Sequence, residues 1–274
     1  MPAKFKLSYF DIRGRAELPR LVFAAAGKEF EDERLSGDKW TAFKPKTPYG
    51  QMPVLTVDNK TMINQTGAIA RYLAREFGLY GSNNMENTKC DVIIETVSDV
   101  FTAMVKSHFE QDEAKKEELG KKLGTEVLPQ FFTYLCKVLK ENGGKCLVGS
   151  KLTIADLAAF DMLDKLVCNP KMGEGVYKDF PEIKKFYESV KTNANVQKYL
   201  EKRPASEIFN ISLQKREKCK IQDKTSTEWR KRRHLSKERV EDENNSRSFR
   251  FPESKLKHKY RYSITSFHQY TSQL

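Results

Sequence analysis

The chain has 274 residues, 39% of them hydrophobic and 31% charged, with a formal net charge of +12 at pH 7. This supplies enough apolar material for one large core or two ordinary ones, and no apolar run approaches the ~20 residues that a membrane-spanning helix needs. The charge is concentrated: residues 209–274 carry 17 Lys+Arg against 8 Asp+Glu, a net +9, which leaves +3 on residues 1–208.

In chain order, Lys4–Tyr9 alternates apolar with polar residues and predicts a strand. Ala16–Ala26 predicts a helix with Leu18, Leu21, Val22 and Ala25 on one stripe, stopped by Gly27. Phe30–Leu35 reads as a second strand. Pro53–Val57, the turn Asp58-Asn59-Lys60 and Thr61–Ile63 read as a hairpin. A helix follows over Thr66–Phe77 with Ile69, Tyr72 and Leu73 inward. The order βαβ and then ββα implies a small mixed sheet with helices packed on it. Beyond Gly78–Asn84 only helical periodicity remains, over Met85–Phe109, Glu113–Glu141, Ile154–Cys168 and Pro181–Leu200, with breaks at Gly143-Gly144 and Asn169-Pro170. Thr153 reads as the N-cap of the third of these. Asp156 stands at the capping-box position and Leu152 and Leu157 as a staple, a structural role.

Residues 209–274 lose this periodicity. Their runs Trp229-Arg230-Lys231-Arg232-Arg233-His234 and Glu241-Asp242-Glu243-Asn244-Asn245 cannot bury enough surface to offset ordering entropy, which predicts a disordered or weakly helical basic extension. The basic run could hold phosphates or act as a nuclear address, but a solvated extension is the stronger expectation, with nucleic acid not an expected partner. The five cysteines, Cys90, Cys136, Cys146, Cys168 and Cys219, are odd in number and show no Cys-x-x-Cys spacing. Free thiols in a reducing compartment are expected, and a dithiol redox role is not. With no apolar leader in Met1–Phe5, the expected location is cytoplasmic.

The chemistry gathers at Tyr9-Phe10-Asp11-Ile12-Arg13-Gly14-Arg15-Ala16-Glu17, where the first strand gives way to the first helix. Tyr9 offers a hydroxyl that can donate to a developing anion. Arg13 and Arg15 add positive potential at a helix N-terminus, which already favours anions. Taken alone, the segment reads equally well as an ordinary surface turn.

Together with Trp40, Lys44, Pro48-Tyr49-Gly50-Gln51-Met52-Pro53 and Gln65-Thr66-Gly67-Ala68-Ile69-Ala70-Arg71-Tyr72-Leu73, this turn makes residues 1–208 resemble a cytosolic glutathione transferase. The resemblance is strongest to the sigma class, which includes haematopoietic-type prostaglandin D synthases, invertebrate transferases and lens S-crystallins. It implies an α/β thioredoxin-like domain at 1–80 that binds glutathione and an all-helical domain at 81–208 that completes the hydrophobic substrate site. The unit is usually a homodimer, and the 209–274 tail has no counterpart in the pattern.

The resemblance implies roles residue by residue. Tyr9 would donate its O–H to the glutathione sulfur and stabilise the thiolate, with Arg15 a shaping charge beside it and Arg13 stabilising the turn. Met52, before a proline that is cis in this family, would pair with the cysteinyl backbone. A trans turn at Pro53 is the alternative. Gln65 and the Thr66 hydroxyl and N–H groups would take the γ-glutamyl carboxylate, although family members usually carry serine at Thr66 and an ordinary N-cap serves equally well. Lys44 would pair with the glycyl carboxylate and Trp40 donate its indole N–H, with Gly50 and Gln51 beside them; alone, these read as a surface lysine and a core tryptophan. Asp99 resembles an acid that reaches glutathione in the neighbouring subunit.

Phe10 and Gly14 would approach the second substrate from the first domain and Met104, His108 and Phe109 from the helical one, where core packing explains the same stripe. The prostaglandin D synthase pattern has several acids that bind a divalent cation; Glu95, Ser98 and Asp99 leave this chain one short, so no dedicated metal site is expected. The implied activity is conjugation of glutathione, the co-substrate, to hydrophobic electrophiles such as aryl halides, enals or hydroperoxides. Isomerisation of prostaglandin H2 is the enzymatic alternative. A crystallin-like protein or apolar-ligand carrier is the non-enzymatic one, against which the retained Tyr9, Trp40, Lys44, Gln51 and Gln65 argue.

Overall fold

The computed structural model describes residues 3–167 and 176–205. Four strands, β1 (Phe5–Phe10), β2 (Glu31–Leu35), β3 (Val54–Val57) and β4 (Thr61–Asn64), form one mixed sheet in the order β2-β1-β3-β4. β1 runs parallel to β2, and β3 is antiparallel to both β1 and β4. The hairpin turns where Asp58 and Asn59 both take positive φ, 53° and 57°, which short polar side chains tolerate and which suits the twist of the paired strands.

α1 (Glu17–Ala25) crosses between the parallel strands and buries Leu18, Leu21, Val22 and Phe23. It ends at Gly27 (φ +62°), where the Gly27 N–H donates to Ala24 and the Lys28 N–H to Phe23, a left-handed cap that a side chain would strain. Phe23 stacks on Phe30 at 4.2 Å and also meets Phe5 and Phe77. α3 (Thr66–Glu76) packs beside α1 and buries Ile69, Ala70, Leu73 and Ala74, while Tyr72, expected inward, is only half-buried. The short α2 (Gly37–Phe43) and the turn Lys44–Lys46 that follows it have no apolar period to announce them, because Trp40 is the one buried side chain of α2.

Among the described residues the helical half contains α4 (Asn84–Phe109), α5 (Glu113–Lys122), α6 (Leu128–Glu141), α7 (Ile154–Val167), α8 (Pro181–Lys191) and α9 (Ala194–Lys202). The wholly buried face of α7 packs on α4, α1 and α3 and so fastens the helices to the sheet domain.

Two of the helical stretches carry detail that periodicity did not announce. The stretch 113–141 is helical throughout but widens into a π turn at Leu123–Val127, with the Leu128 N–H reaching back to Leu123. Pro129 has no N–H for the ordinary ladder and its ring crowds the carbonyl four residues back, so the wider turn falls just before it. The helix read over 181–200 is two helices, because the Asn193 side chain accepts from the Asn195 and Val196 N–H groups and starts α9 afresh.

The α7 cap is as expected in its reciprocal bond despite the shorter acid: Asp156 accepts from the Thr153 N–H at 2.8 Å and its hydroxyl at 2.9 Å, and from the Leu147 N–H at 2.8 Å. Among the described residues Cys90, Cys136 and Cys146 are free thiols. The Asn169-Pro170 break, Cys168, Cys219 and the expected disordered extension at 209–274 lie outside the described residues.

Candidate active site

Tyr9 sits near the end of β1, opposite Arg34 on β2, and is 5% exposed. Beyond the strand the chain folds back at Gly14 (φ +44°), and the Arg15 N–H donates to the Tyr9 hydroxyl at 3.1 Å. A Cβ on Gly14 would lie 2.7 Å from Tyr9 Oη and 2.9 Å from Cε1. Glycine is needed there both for its backbone conformation and for the close approach. Gly14 is buried against the phenol.

Phe10 continues the site as an aromatic chain. Its ring is 5.4 Å from Tyr9 and, edge-on, 5.8 Å from Trp40, which α2 carries at 3% exposure. Lys44 is exposed just beyond α2, its Cε 3.8 Å from where a Cβ on Gly50 would stand. Gln51 and Met52 are half-buried and Pro53 buried, and the Met52–Pro53 bond is cis. Met52 lies just outside the β1–β3 ladder, whose last pair is Ser8 with Val54.

Gln65 is exposed and holds φ at +70° immediately before α3, a conformation that costs a non-glycine residue about 1–3 kcal/mol and is typical of ligand clamps. Thr66, half-buried, begins α3. Its hydroxyl donates to the Arg15 carbonyl at 3.0 Å, which ties the start of α3 to the Tyr9 turn.

The helical half contributes a residue that sequence reading missed. Phe101 of α4 is buried, with the Arg15 guanidinium over its ring at 5.2 Å and the Lys165 ammonium at 5.5 Å, a cation–π arrangement. Met104 and His108 follow Phe101 at i+3 and i+7, so the three share one face of α4. All of Met104, His108 and Phe109 are half-buried, and Phe109 meets the His108 ring edge-on at 4.8 Å. Burial, with Lys116 nearby, pushes the His108 pKa down.

Asp99 belongs to a different face. It follows Met85 and Val92 at intervals of seven along an exposed stripe, nearly opposite Phe101. Glu95 is engaged with Arg71 Nη2 at 2.5 Å. Among the described residues no three His, Cys, Asp or Glu side chains could hold a metal ion.

Beneath the turn lies a buried ion network that sequence reading reached only as Arg13. Arg13 Nη1 donates to Asp164 at 2.9 Å, and Arg203 Nη2 donates to the same oxygen at 2.8 Å. Arg203 Nη1 also bonds Glu17 at 2.8 Å, and the Tyr199 hydroxyl donates to Glu17 at 3.1 Å. Burial would raise the Asp164 pKa, but Arg203 and Arg13 beside it, with the Tyr187 hydroxyl, hold it below the usual carboxylate range. Arg13 and Asp164 are 151 residues apart, and no local pattern signals such a pair.

A thioredoxin-like sheet domain with a phenol at the end of β1 is followed by a helical domain, the arrangement of the two-domain transferases. The chain matches the glutathione S-transferase N-terminal domain over residues 5–75 and the glutathione S-transferase C-terminal domain over residues 98–203. It is 37% identical over 209 residues to glutathione S-transferase 1 of Ascaris suum, covering 73% of this chain and 97% of that one. It is 33% identical over 205 residues to S-crystallin SL11 of Nototodarus sloanii, covering 74% and 98%. Among solved structures, prostaglandin synthase D of Nilaparvata lugens is similar at 33% identity with a TM-score of 0.66, covering 74% of this chain and 99% of that one. The chain belongs to the glutathione S-transferase family, enzymes whose co-substrate is glutathione.

Proposed function

We propose that this protein is a sigma-type glutathione transferase that uses the Tyr9 hydroxyl to keep glutathione as its thiolate and adds that sulfur to hydrophobic electrophiles. The observation that carries this reading is the bond from the Arg15 amide to Tyr9 Oη at 3.1 Å in a buried turn. The amide occupies an acceptor position of the hydroxyl and so fixes where the phenol oxygen stands. A thiol of ordinary pKa, about 8.5, is only a few per cent ionised at neutral pH. A charge-assisted O–H···S⁻ bond in a site shielded from water favours the anion, and the Arg15 charge adds to it.

With an aryl halide, sulfur forms a bond to the ring carbon, halide leaves with its electron pair, and the thiol proton has already gone to water. Lys44 and Trp40 with Gly50 and Gln51 serve the glycyl end, the Met52 backbone beside Pro53 the cysteinyl unit, and Gln65 with the α3 N–H groups at Thr66 the γ-glutamyl end. The face Phe101–Met104–His108, with Phe10 and Phe109, lines the apolar substrate site. Residues 1–80 would form the glutathione-binding domain and 81–208 the domain that completes the apolar site, in the cytoplasm.

A homodimer fits the exposed apolar residues Tyr49, Met62, Met85 and Val92. The Asp99 stripe faces away from its own subunit's Phe101 and so suits a role in the neighbour's site. The similarity to prostaglandin synthase D of Nilaparvata lugens keeps isomerisation of prostaglandin H2 by the same thiolate as a second reading. Titrating the thiolate absorbance of glutathione bound to the protein, alongside conjugation of 1-chloro-2,4-dinitrobenzene, tests the main reading. A bound thiol ionising at least one unit below free glutathione, with turnover, supports it. Binding without turnover sinks it in favour of a carrier.

A further inference from the structure

The reading of Tyr9 depends on where the Arg15 amide stands, and the structure holds that amide from both sides. Upstream, the buried Arg20 donates through Nη1 to the carbonyls of Ile12 at 2.9 Å and Arg13 at 3.4 Å, and the Arg13 side chain is bonded to Asp164 of α7. Downstream, Glu17 is fully buried and accepts from Tyr199 and Arg203. Arg203, the residue that closes α9, takes part in both anchors. One arm of its planar fork holds Glu17 and the other holds the Asp164 oxygen that also binds Arg13. A guanidinium suits this task because its two arms are rigidly related, so two carboxylates on different helices are fixed at a set spacing.

We propose that Arg203 is a positioning residue for the transferase reaction: by bridging Glu17 and Asp164 it fixes the backbone from Arg13 to Glu17, and with it the Arg15 amide that orients the Tyr9 hydroxyl. The proposal rests on the thiolate reading of Tyr9. It differs from a merely stabilising ion network in one respect. Loosening the clasp in a protein that is still folded moves the ionisation of bound glutathione and not only the melting temperature.

The test uses the full chain with Arg203→Met, Arg203→Lys and Tyr199→Phe. Each is measured for bound-glutathione thiolate absorbance against pH, for kcat/KM with 1-chloro-2,4-dinitrobenzene against pH, and for thermal unfolding. The expected result for Arg203→Met is a bound-thiol pKa raised by roughly half to one unit, which lowers kcat/KM about 2–6-fold near pH 6.5 and little near pH 9. Arg203→Lys restores part of the shift, and Tyr199→Phe, which removes one hydroxyl from the same carboxylate, moves it the same way by less.

Folded variants with the wild-type thiol pKa and pH profile overturn the proposal, as does a loss of equal size at every pH. Should Arg203→Met fail to fold, Tyr199→Phe decides by the same criterion. The wild-type titration separates the two layers. An unshifted thiol in the wild type removes the Tyr9 reading, whereas a shifted wild type with unchanged variants removes only the clasp.

Discussion

Replacing Tyr9 with phenylalanine removes one oxygen from a ring that is 5% exposed, and the ring packing has no reason to change. On the proposed reading of Tyr9, the missing group is the donor to sulfur. A hydrogen bond to a charged partner in a desolvated place is worth about 1.5–3 kcal/mol, which corresponds to about one to two pKa units of the bound thiol. If that thiol ionises near 6.5 in the wild type and returns to about 8.5 in the variant, its thiolate fraction near pH 6.5 falls from about half to about one per cent. Conjugation of an aryl halide should then drop roughly fifty-fold near pH 6.5 and less than about twofold near pH 9, with glutathione affinity nearly unchanged, since the carboxylate and backbone contacts remain.

The structure adds a second consequence. The Arg15 N–H, part-buried, loses its acceptor, which costs up to about 1 kcal/mol and is visible as a slightly lower melting temperature. The assay is kcat/KM across this pH range beside the bound-thiolate titration. A variant that keeps wild-type rates near pH 6.5, or loses activity equally at all pH, refutes the argument.

Gly14→Ala places a methyl group 2.7 Å from Tyr9 Oη at φ +44° and should displace the phenol; a loss of about 1–3 kcal/mol in urea unfolding, with a raised bound-thiol pKa, is expected. Asp156→Asn turns an amide N–H₂ toward three donors, so one or two buried groups lose their partner; unfolding free energy should fall by about 2–4 kcal/mol while the thiol pKa in the folded fraction stays put. His108 has its pKa lowered by burial, so below about pH 6.5 the unfolded chain takes up a proton that the folded one refuses. Stability should therefore fall on acidification through that range, and His108→Gln should remove this part of the slope in denaturation series at several pH values. Tyr49, 67% exposed, should support self-association; Tyr49→Glu is expected to shift sedimentation toward the monomer, and an unchanged dimer would remove this residue from the interface.

Much of the fold was readable from local spacing. Alternation marked β1, the stripe Leu18–Leu21–Val22 marked α1, Gly27 marked its end, and Asp58-Asn59 marked the hairpin. Each of these depends on neighbours within a few residues, where backbone sterics and one apolar face decide the outcome. The short α2 escaped because one buried tryptophan makes no period. The break at Asn193 escaped because a capping side chain inside an apolar pattern resembles any other polar residue. At the site, Tyr9 and the turn after it stood out by chemical type and order.

The sequence by itself determined which groups stand where a strand meets a helix, a phenol and two guanidiniums. Only the tertiary structure decided what they contact. It turned the Thr66 hydroxyl to the Arg15 carbonyl, laid the Arg15 guanidinium over Phe101, and set Arg13, Asp164, Arg203 and Glu17 against one another under the turn. Those contacts join residues far apart along the chain. A buried charge must find its partner wherever packing brings one, and that depends on helix placement rather than on any neighbouring residue.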